Sequence, residues 1–168
     1  MLIAFSGLPG TGKTTIARYL AKRLGATYLR IDTIENELLS MEGASLVDRG
    51  AGYCVAYAVA EENLMLGRTV VADSVNPISL TRDAWRKVAH RAGVKIVEAL
   101  VVCSDLRKHE LRISSRPAGT RASSWTEVRS RQFEALDENA VVLDTSDQSV
   151  EQCVALLQNA LVQRCNSR

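Results

Sequence analysis

No stretch of these 168 residues stays apolar long enough to cross a bilayer, and the expectation is a chain without a leader of the secretory kind. Four cysteines (Cys54, Cys103, Cys153 and Cys165) stand far apart without a CxxC pair, which argues against a disulfide framework or a metal knuckle and for reduced thiols. The two histidines, His90 and His109, have no His, Cys or Glu partner at ligand spacing, so neither is assigned to a metal or to catalysis. Charge of one sign is missing as well: 21 Lys and Arg against 19 Asp and Glu leave +2, too small an excess to argue for a nucleic-acid surface. Internal repeats and low-complexity linkers are absent, which removes solenoids and tethered modules from the field.

What remains is a composition of 46% apolar and 24% charged residues, that of an ordinary globular chain, at a length that suits one domain over residues 1–168. The expectation is a cytoplasmic protein with no membrane contact, a monomer or a homodimer. Short apolar runs alternate with helical patterns, which reads as an α/β fold with a parallel sheet and helices on both faces. Strands are expected at Leu2–Ser6, Thr27–Ile31, Thr69–Ala72, Lys95–Val102 and Val141–Leu143. The first helix runs from Lys13, with Ile16, Leu20 and Leu24 on one stripe, and stops at Gly25. Further helices are expected from Asp32, over about Gly50 to Leu66, over Thr81 to Arg91 after a turn or cap at Asn76-Pro77, and over Ser149 to Val162. Between the fourth and fifth strands come a basic helix, a loop at Pro117-Ala118-Gly119-Thr120 and a short helix opened by the capping-box pattern Ser124-Trp125-Thr126-Glu127.

The stretch GLPGTGKTT, residues 7–15, sits between the first strand and the first helix. Gly7, Gly12, Lys13 and Thr14 satisfy GxxxxGK[ST] in the strand-to-helix context the motif requires. Glycines let backbone N–H groups turn inward, and the helix that starts there adds its positive end, so a polyphosphate is the expected occupant of Gly7, Leu8, Pro9, Gly10, Thr11, Gly12, Lys13, Thr14 and Thr15. Lys13 would lie along the β- and γ-phosphates of ATP, the Thr14 hydroxyl would hold Mg²⁺, and Thr15 would meet phosphate oxygens beside it.

A strand that ends in a carboxylate should complete the metal site, and Val70-Val71-Ala72-Asp73 supplies one; Asp73 could instead cap a local turn. Asp32 is expected at the carboxyl end of the second strand, facing the phosphate loop across the cleft, where it would serve as general base toward an acceptor hydroxyl. The alternative is that Asp32 caps its own helix, given Glu35 three residues on. Glu35, Asp73, Asn76 and Tyr57 are placed with Asp32 on the acceptor side, although Tyr53 and Tyr57, four apart, also suit packing at the edge of a core. Trp85 and Trp125 read as packing residues.

Neither NKxD nor DxxG, the guanine-reading and switch strings of GTPases, occurs in the chain. There is no room for the second signature loop of transport ATPases or for the helical lid domain of AAA-type motors. The basic residues concentrate between Arg107 and Arg131, seven against two acidic ones, a local excess of five that leaves −3 for the rest. A lid over about residues 105–131 is expected, with Arg112 and Arg116 projecting from one helix face toward the transferred phosphoryl group and Arg121 able to join them.

The order GLPGTGKTT, RIDTIE, LGRTVVADSVNP, DAWRKVA, VVCSDLRKHELRISSR and SSWTEVRSRQFEAL resembles the AAA_33-type kinase-like ATP-binding proteins, grouped with polynucleotide 5′-kinase, chloramphenicol phosphotransferase, zeta toxins, gluconate kinase and adenylylsulfate kinase. The resemblance covers about residues 1–145. It implies a three-layer αβα P-loop fold with a five-stranded sheet of order 2-3-1-4-5, ATP as donor, Asp32 as base, Asp73 near metal or acceptor, and lid arginines at 112 and 116. One departure matters: related polynucleotide kinases carry an arginine three places after the base, where this chain has Glu35. That favours a neutral or cationic small molecule with a hydroxyl over a nucleic-acid 5′-hydroxyl or adenylylsulfate. The expected function is therefore an ATP- and Mg²⁺-dependent phosphotransferase. The alternatives are a nucleic-acid or nucleotide-sugar kinase of zeta-toxin type and a nucleotide-sensing ATPase module.

Overall fold

The computed structural model describes residues 1–41, 50–116 and 124–166. Five parallel strands, β1 (Leu2–Ser6), β2 (Thr27–Arg30), β3 (Val70–Asp73), β4 (Ile96–Val102) and β5 (Val141–Asp144), stand in the order β2-β3-β1-β4-β5. The helices are α1 (Lys13–Leu24), α2 (Ile31–Ser40), α3 (Ala51–Met65), α4 (Ser79–Arg91), α5 (Leu106–Ser114), α6 (Trp125–Ser130) and α7 (Val150–Asn166). This is the expected α/β P-loop architecture and strand order.

The central strand β1 is buried along its whole length, which is why LIAF reads as a continuous apolar run rather than an alternation. Its odd residues, Ile3 and Phe5, face a core shared with α1 and α7 through Ile16, Leu20, Val154 and Leu157. The even ones, Leu2 and Ala4, face a second core with α3 and α4 through Ala56, Ala60, Trp85 and Val88. The period of two along each strand therefore fills both layers at once. Because β1 sits between β3 and β4, the chain leaves it toward one side for β2 and β3 and crosses to the other for β4 and β5. The crevice opens at the carboxyl ends beside that reversal, where open α/β sheets bind ligands.

Several boundaries differ from the sequence expectation, and three bear on the site. β2 ends at Arg30 and Ile31 already belongs to α2, so Asp32 lies in the first helical turn rather than at a strand end. The N-cap of α2 is Arg30 and carries no side-chain cap bond, so Asp32 is not the cap of its own helix. α4 starts at Ser79 with Ile78 as N-cap, two residues after the Asn76-Pro77 turn. α5 ends at Ser114 with Ser115 as C-cap, which leaves Arg116 beyond the helix; the spacing of four between Arg112 and Arg116 therefore does not put both on one helical face. The capping box at Ser124 is formed, with its hydroxyl accepting from Glu127 N at 3.1 Å. Cys54, Cys103 and Cys153 are free thiols. The Pro117–Thr120 loop and Arg121 lie outside the described residues. Among those described, no helix is long and apolar enough to cross a membrane.

Candidate active site

The phosphate loop leaves β1 at Gly7, whose φ of 141° and lack of a side chain let the backbone pass directly over β4; a Cβ there would run into Val101 O. Gly7 N donates to Val75 O at 3.0 Å, which ties the loop to the segment after β3. Inside the loop, Thr11 Oγ1 and Lys13 Nζ both donate to Leu8 O, at 2.9 and 2.8 Å. Lys13 is buried, and loss of hydration pushes its ammonium down to about 8. Asp73 and then Asp32 oppose that shift, while Arg116 and Arg131 add to it. These five side chains, from the loop, α2, β3 and the basic segment, therefore share one electrostatic neighbourhood. Of them, Arg131 was not picked out from the sequence, where it counted only toward the charge of its segment.

Beside the loop lies a cleft of about 420 Å³, lined by Gly10, Gly12, Lys13, Thr14, Thr15, Arg112, Arg116, Thr145 and the start of α7. Arg112 donates to Thr145 Oγ1 at 2.7 Å and to Thr145 O at 2.9 Å. The same hydroxyl donates to Thr11 O at 2.8 Å, with Val102 O a second acceptor at 3.1 Å. Thr145 thus joins the basic helix, the phosphate loop and the end of β4, and sequence reasoning missed it. The signal was the polar run Asp144-Thr145-Ser146 at the carboxyl end of the last strand, the edge where every other site residue stands. Its neighbour Asp144 accepts from Ser104 N and Ser146 N at 3.1 and 2.9 Å, and hydrogen bonds from those two serines hold its carboxyl at about 2.

On the opposite side, Asp73 is buried at the end of β3, its Oδ2 accepting from Tyr28 OH at 2.7 Å. Burial, with Asp73 as the next cause, raises the Tyr28 phenol, so the tyrosine remains a donor across the ordinary pH range. Arg30 donates to Asp32 Oδ2 at 3.2 Å, and its Nε lies 3.8 Å from Asp73 Oδ2. Arg30 was also missed, since arginine at a strand end gives no signal of its own. Glu35 packs so closely over α3 that a side chain at Gly52 would overlap its Cγ. Of the remaining expected acceptor residues, Tyr57 donates to Thr81 O at 3.1 Å and meets Trp85 edge to face, with centroids 4.6 Å apart. Asn76 has no exposed surface; it bonds Ser6 Oγ at 2.9 Å and takes φ 49°, a left-handed turn that asparagine tolerates. Tyr57 thus ties α3 to α4, and Asn76 ties the turn after β3 to the end of β1.

The family model of AAA_33, described as an AAA domain, matches residues 2–143. An adenylyl-sulfate kinase of Synechococcus sp. (strain JA-3-3Ab) is 28% identical over 163 residues, covering 94% of this chain and 91% of its own. Among solved structures, the Mycobacterium tuberculosis APS kinase in complex with AMPPNP and APS superposes with a TM-score of 0.75 at 22% identity, over 96% of both chains. A gluconokinase from Sinorhizobium meliloti 1021 gives 0.65 at 19%, over 99% and 97%. At such identities these two structures speak to the fold.

Proposed function

The chain belongs to the AAA_33 family, and on that footing we propose that it is an ATP-dependent kinase, transferring the γ-phosphoryl group of ATP to a hydroxyl of a small-molecule acceptor. The observation that carries this reading is the cleft at the carboxyl edge of the sheet, where Gly10, Gly12, Lys13 and Thr14 of the loop meet Arg112 and Arg116. Phosphoryl transfer asks a protein for little covalent chemistry and much positioning and charge compensation. The backbone of the phosphate loop and the N-terminus of α1 would receive the polyphosphate, and Lys13 would pair with its charge. Binding of ATP favours the protonated form of Lys13, which burial alone makes costly.

The donor set fits Mg²⁺: the Thr14 hydroxyl and the Asp73 carboxylate are hard oxygen ligands. When bound, that ion would neutralise phosphate charge. Asp32 is partly exposed and paired with Arg30, and as general base it would accept the proton of the acceptor hydroxyl. Arg116 and Arg131 would offset the charge that develops on the transferred group.

Asp32, Glu35 and Asp73 against Arg30 leave the acceptor side negative, which favours a neutral or cationic hydroxyl compound. Adenylyl sulfate stands as the second reading, because relatives named for that activity span more than nine-tenths of the chain. The test is transfer from labelled ATP with Mg²⁺ to three sets of acceptors: neutral and amine-bearing hydroxyl compounds, adenylyl sulfate, and a 5′-hydroxyl oligonucleotide. Transfer to the first set is expected, lost in both Lys13→Ala and Asp32→Asn, with ATP uptake surviving only in the second. Undiminished transfer by Asp32→Asn would refute the base. Slow hydrolysis unmoved by any acceptor would favour a nucleotide-sensing module.

A further inference from the structure

We propose that His109 is a positioning residue for the phosphate loop: by holding the Pro9 carbonyl outward, it fixes the Pro9–Gly10 peptide so that the Gly10 N–H faces the cleft. The imidazole, carried on α5 and 4% exposed, places Nε2 2.7 Å from Pro9 O. A carbonyl oxygen only accepts, so Nε2 carries the proton. The Pro9–Gly10 bond is trans, and in a trans peptide C=O and N–H point in opposite directions. With the carbonyl turned toward α5, the N–H is turned toward the cleft that Gly10 lines.

This peptide needs an external hold. Gly10, at φ 86°, has no side chain to restrict it, and Pro9 has no N–H to contribute. Within the loop Thr11 and Lys13 donate to Leu8 O and Thr15 N to Gly12 O, and none of these bonds engages Pro9 O. His109 is itself held: its ring meets Trp125 edge to face at 5.0 Å, beside a small apolar cluster of Leu8, Ile113, Trp125 and Val128. α5 lies so near that a Cβ on Gly10 would come within 2.6 Å of Ile113 Cδ1 and 3.1 Å of His109 Cδ2. The helix that carries Arg112 is thereby seated on the outer wall of the loop, and the donor that meets the polyphosphate is aimed before ATP arrives.

The inference rests on the nucleotide-binding reading above, and the experiment separates the two. Side-chain nitrogen NMR of the wild-type chain without nucleotide should find Nε2 protonated; a neutral ring protonated at Nδ1 would overturn the contact whatever the chain binds. Calorimetry with ATP and Mg²⁺ then compares wild type, His109→Leu and His109→Gln. The leucine has similar bulk and no donor, and should weaken ATP uptake roughly tenfold. Glutamine carries an N–H where Nε2 stood, and should restore affinity to within about threefold of wild type. Equal weakening in both variants, tracking their melting temperatures, would reduce His109 to packing and overturn the proposal. If the leucine variant does not fold, the ring proton and the glutamine variant decide. Failure of the wild type to take up ATP would overturn the nucleotide reading, and this inference with it.

Discussion

Arg30 and Asp32 face one another across 3.2 Å where β2 passes into α2, and the same guanidinium reaches toward Asp73 at 3.8 Å. Two carboxylates, proposed above to serve the acceptor and the cation, are thus bridged by a single side chain. That bridge fixes the orientation of Asp32, which lies in the first turn of α2 with no cap bond to hold it.

Replacing Arg30 with Gln should lower turnover about tenfold by freeing Asp32, a loss typical of one misaligned catalytic contact. ATP affinity should stay within about twofold, since the ion pairs of Arg30 are made to Asp32 and Asp73 rather than to the phosphate loop. Steady-state kinetics beside calorimetry reads both; equal losses in turnover and ATP binding would contradict the assignment.

Lys13 should show opposite signs in function and stability. Its pKa falls from 10.5 when unfolded to about 8 when folded, so between those values the unfolded state binds more protons. Stability should therefore rise with pH across that window and fall as pH drops through about 8. Lys13→Met removes a buried charge whose desolvation is on the order of 3 kcal/mol. It should raise the nucleotide-free melting temperature by several degrees while abolishing ATP uptake. In the wild type, ATP affinity should weaken above about pH 8 as the ammonium loses its proton. A pH series of thermal melts and calorimetric titrations tests all three.

Thr145→Val keeps the shape of the side chain and removes the hydroxyl that accepts from Arg112 and donates to Thr11 O. Loss of these bonds should weaken ATP binding about five- to tenfold, with Thr145→Ser close to wild type. Wild-type affinity in the valine variant would mean that Arg112 and the loop are aligned without this junction.

Gly10→Ala meets two obstacles, the nearness of Ile113 and a φ of 86° that L-residues resist. The single variant should lose about 2–3 kcal/mol of stability. Adding Ile113→Ala relieves only the contact, so a double-mutant cycle by denaturant unfolding should show favourable coupling of about 1 kcal/mol with the remainder unrecovered.

Gly52→Ala should separate the two sides of the cleft. The new methyl displaces Glu35 from its place over α3, so the KM for the acceptor should change severalfold while the KM for ATP holds. A shift in both would mean that α2 and the phosphate loop move together.

The phosphate loop was legible because its chemistry is local: nine consecutive residues supply the turn, the helix start and the lysine. The strand order followed from the resemblance of ordered motifs, and the two-sided core from continuous apolar runs such as LIAF. Arg112 and Arg116 both line the cleft, but not through the shared helical face that their spacing suggested, because α5 stops at Ser114 and the helical period no longer applies beyond it. Asp32 was read both as a strand end and as a cap; the chain turns into a helix one residue sooner, and its carboxylate turns to Arg30 instead.

The sequence by itself determined which elements form and where a polyphosphate fits, since hydrophobic period, glycine placement and helix polarity are written within about ten residues of one another. Only the tertiary structure decided that Thr145 meets Thr11, that Arg30 stands between two carboxylates and that His109 grips Pro9. Those pairs join segments brought together by the crossing of the sheet about β1 and the seating of α5, and no local pattern in the chain encodes side-chain adjacency across such distances.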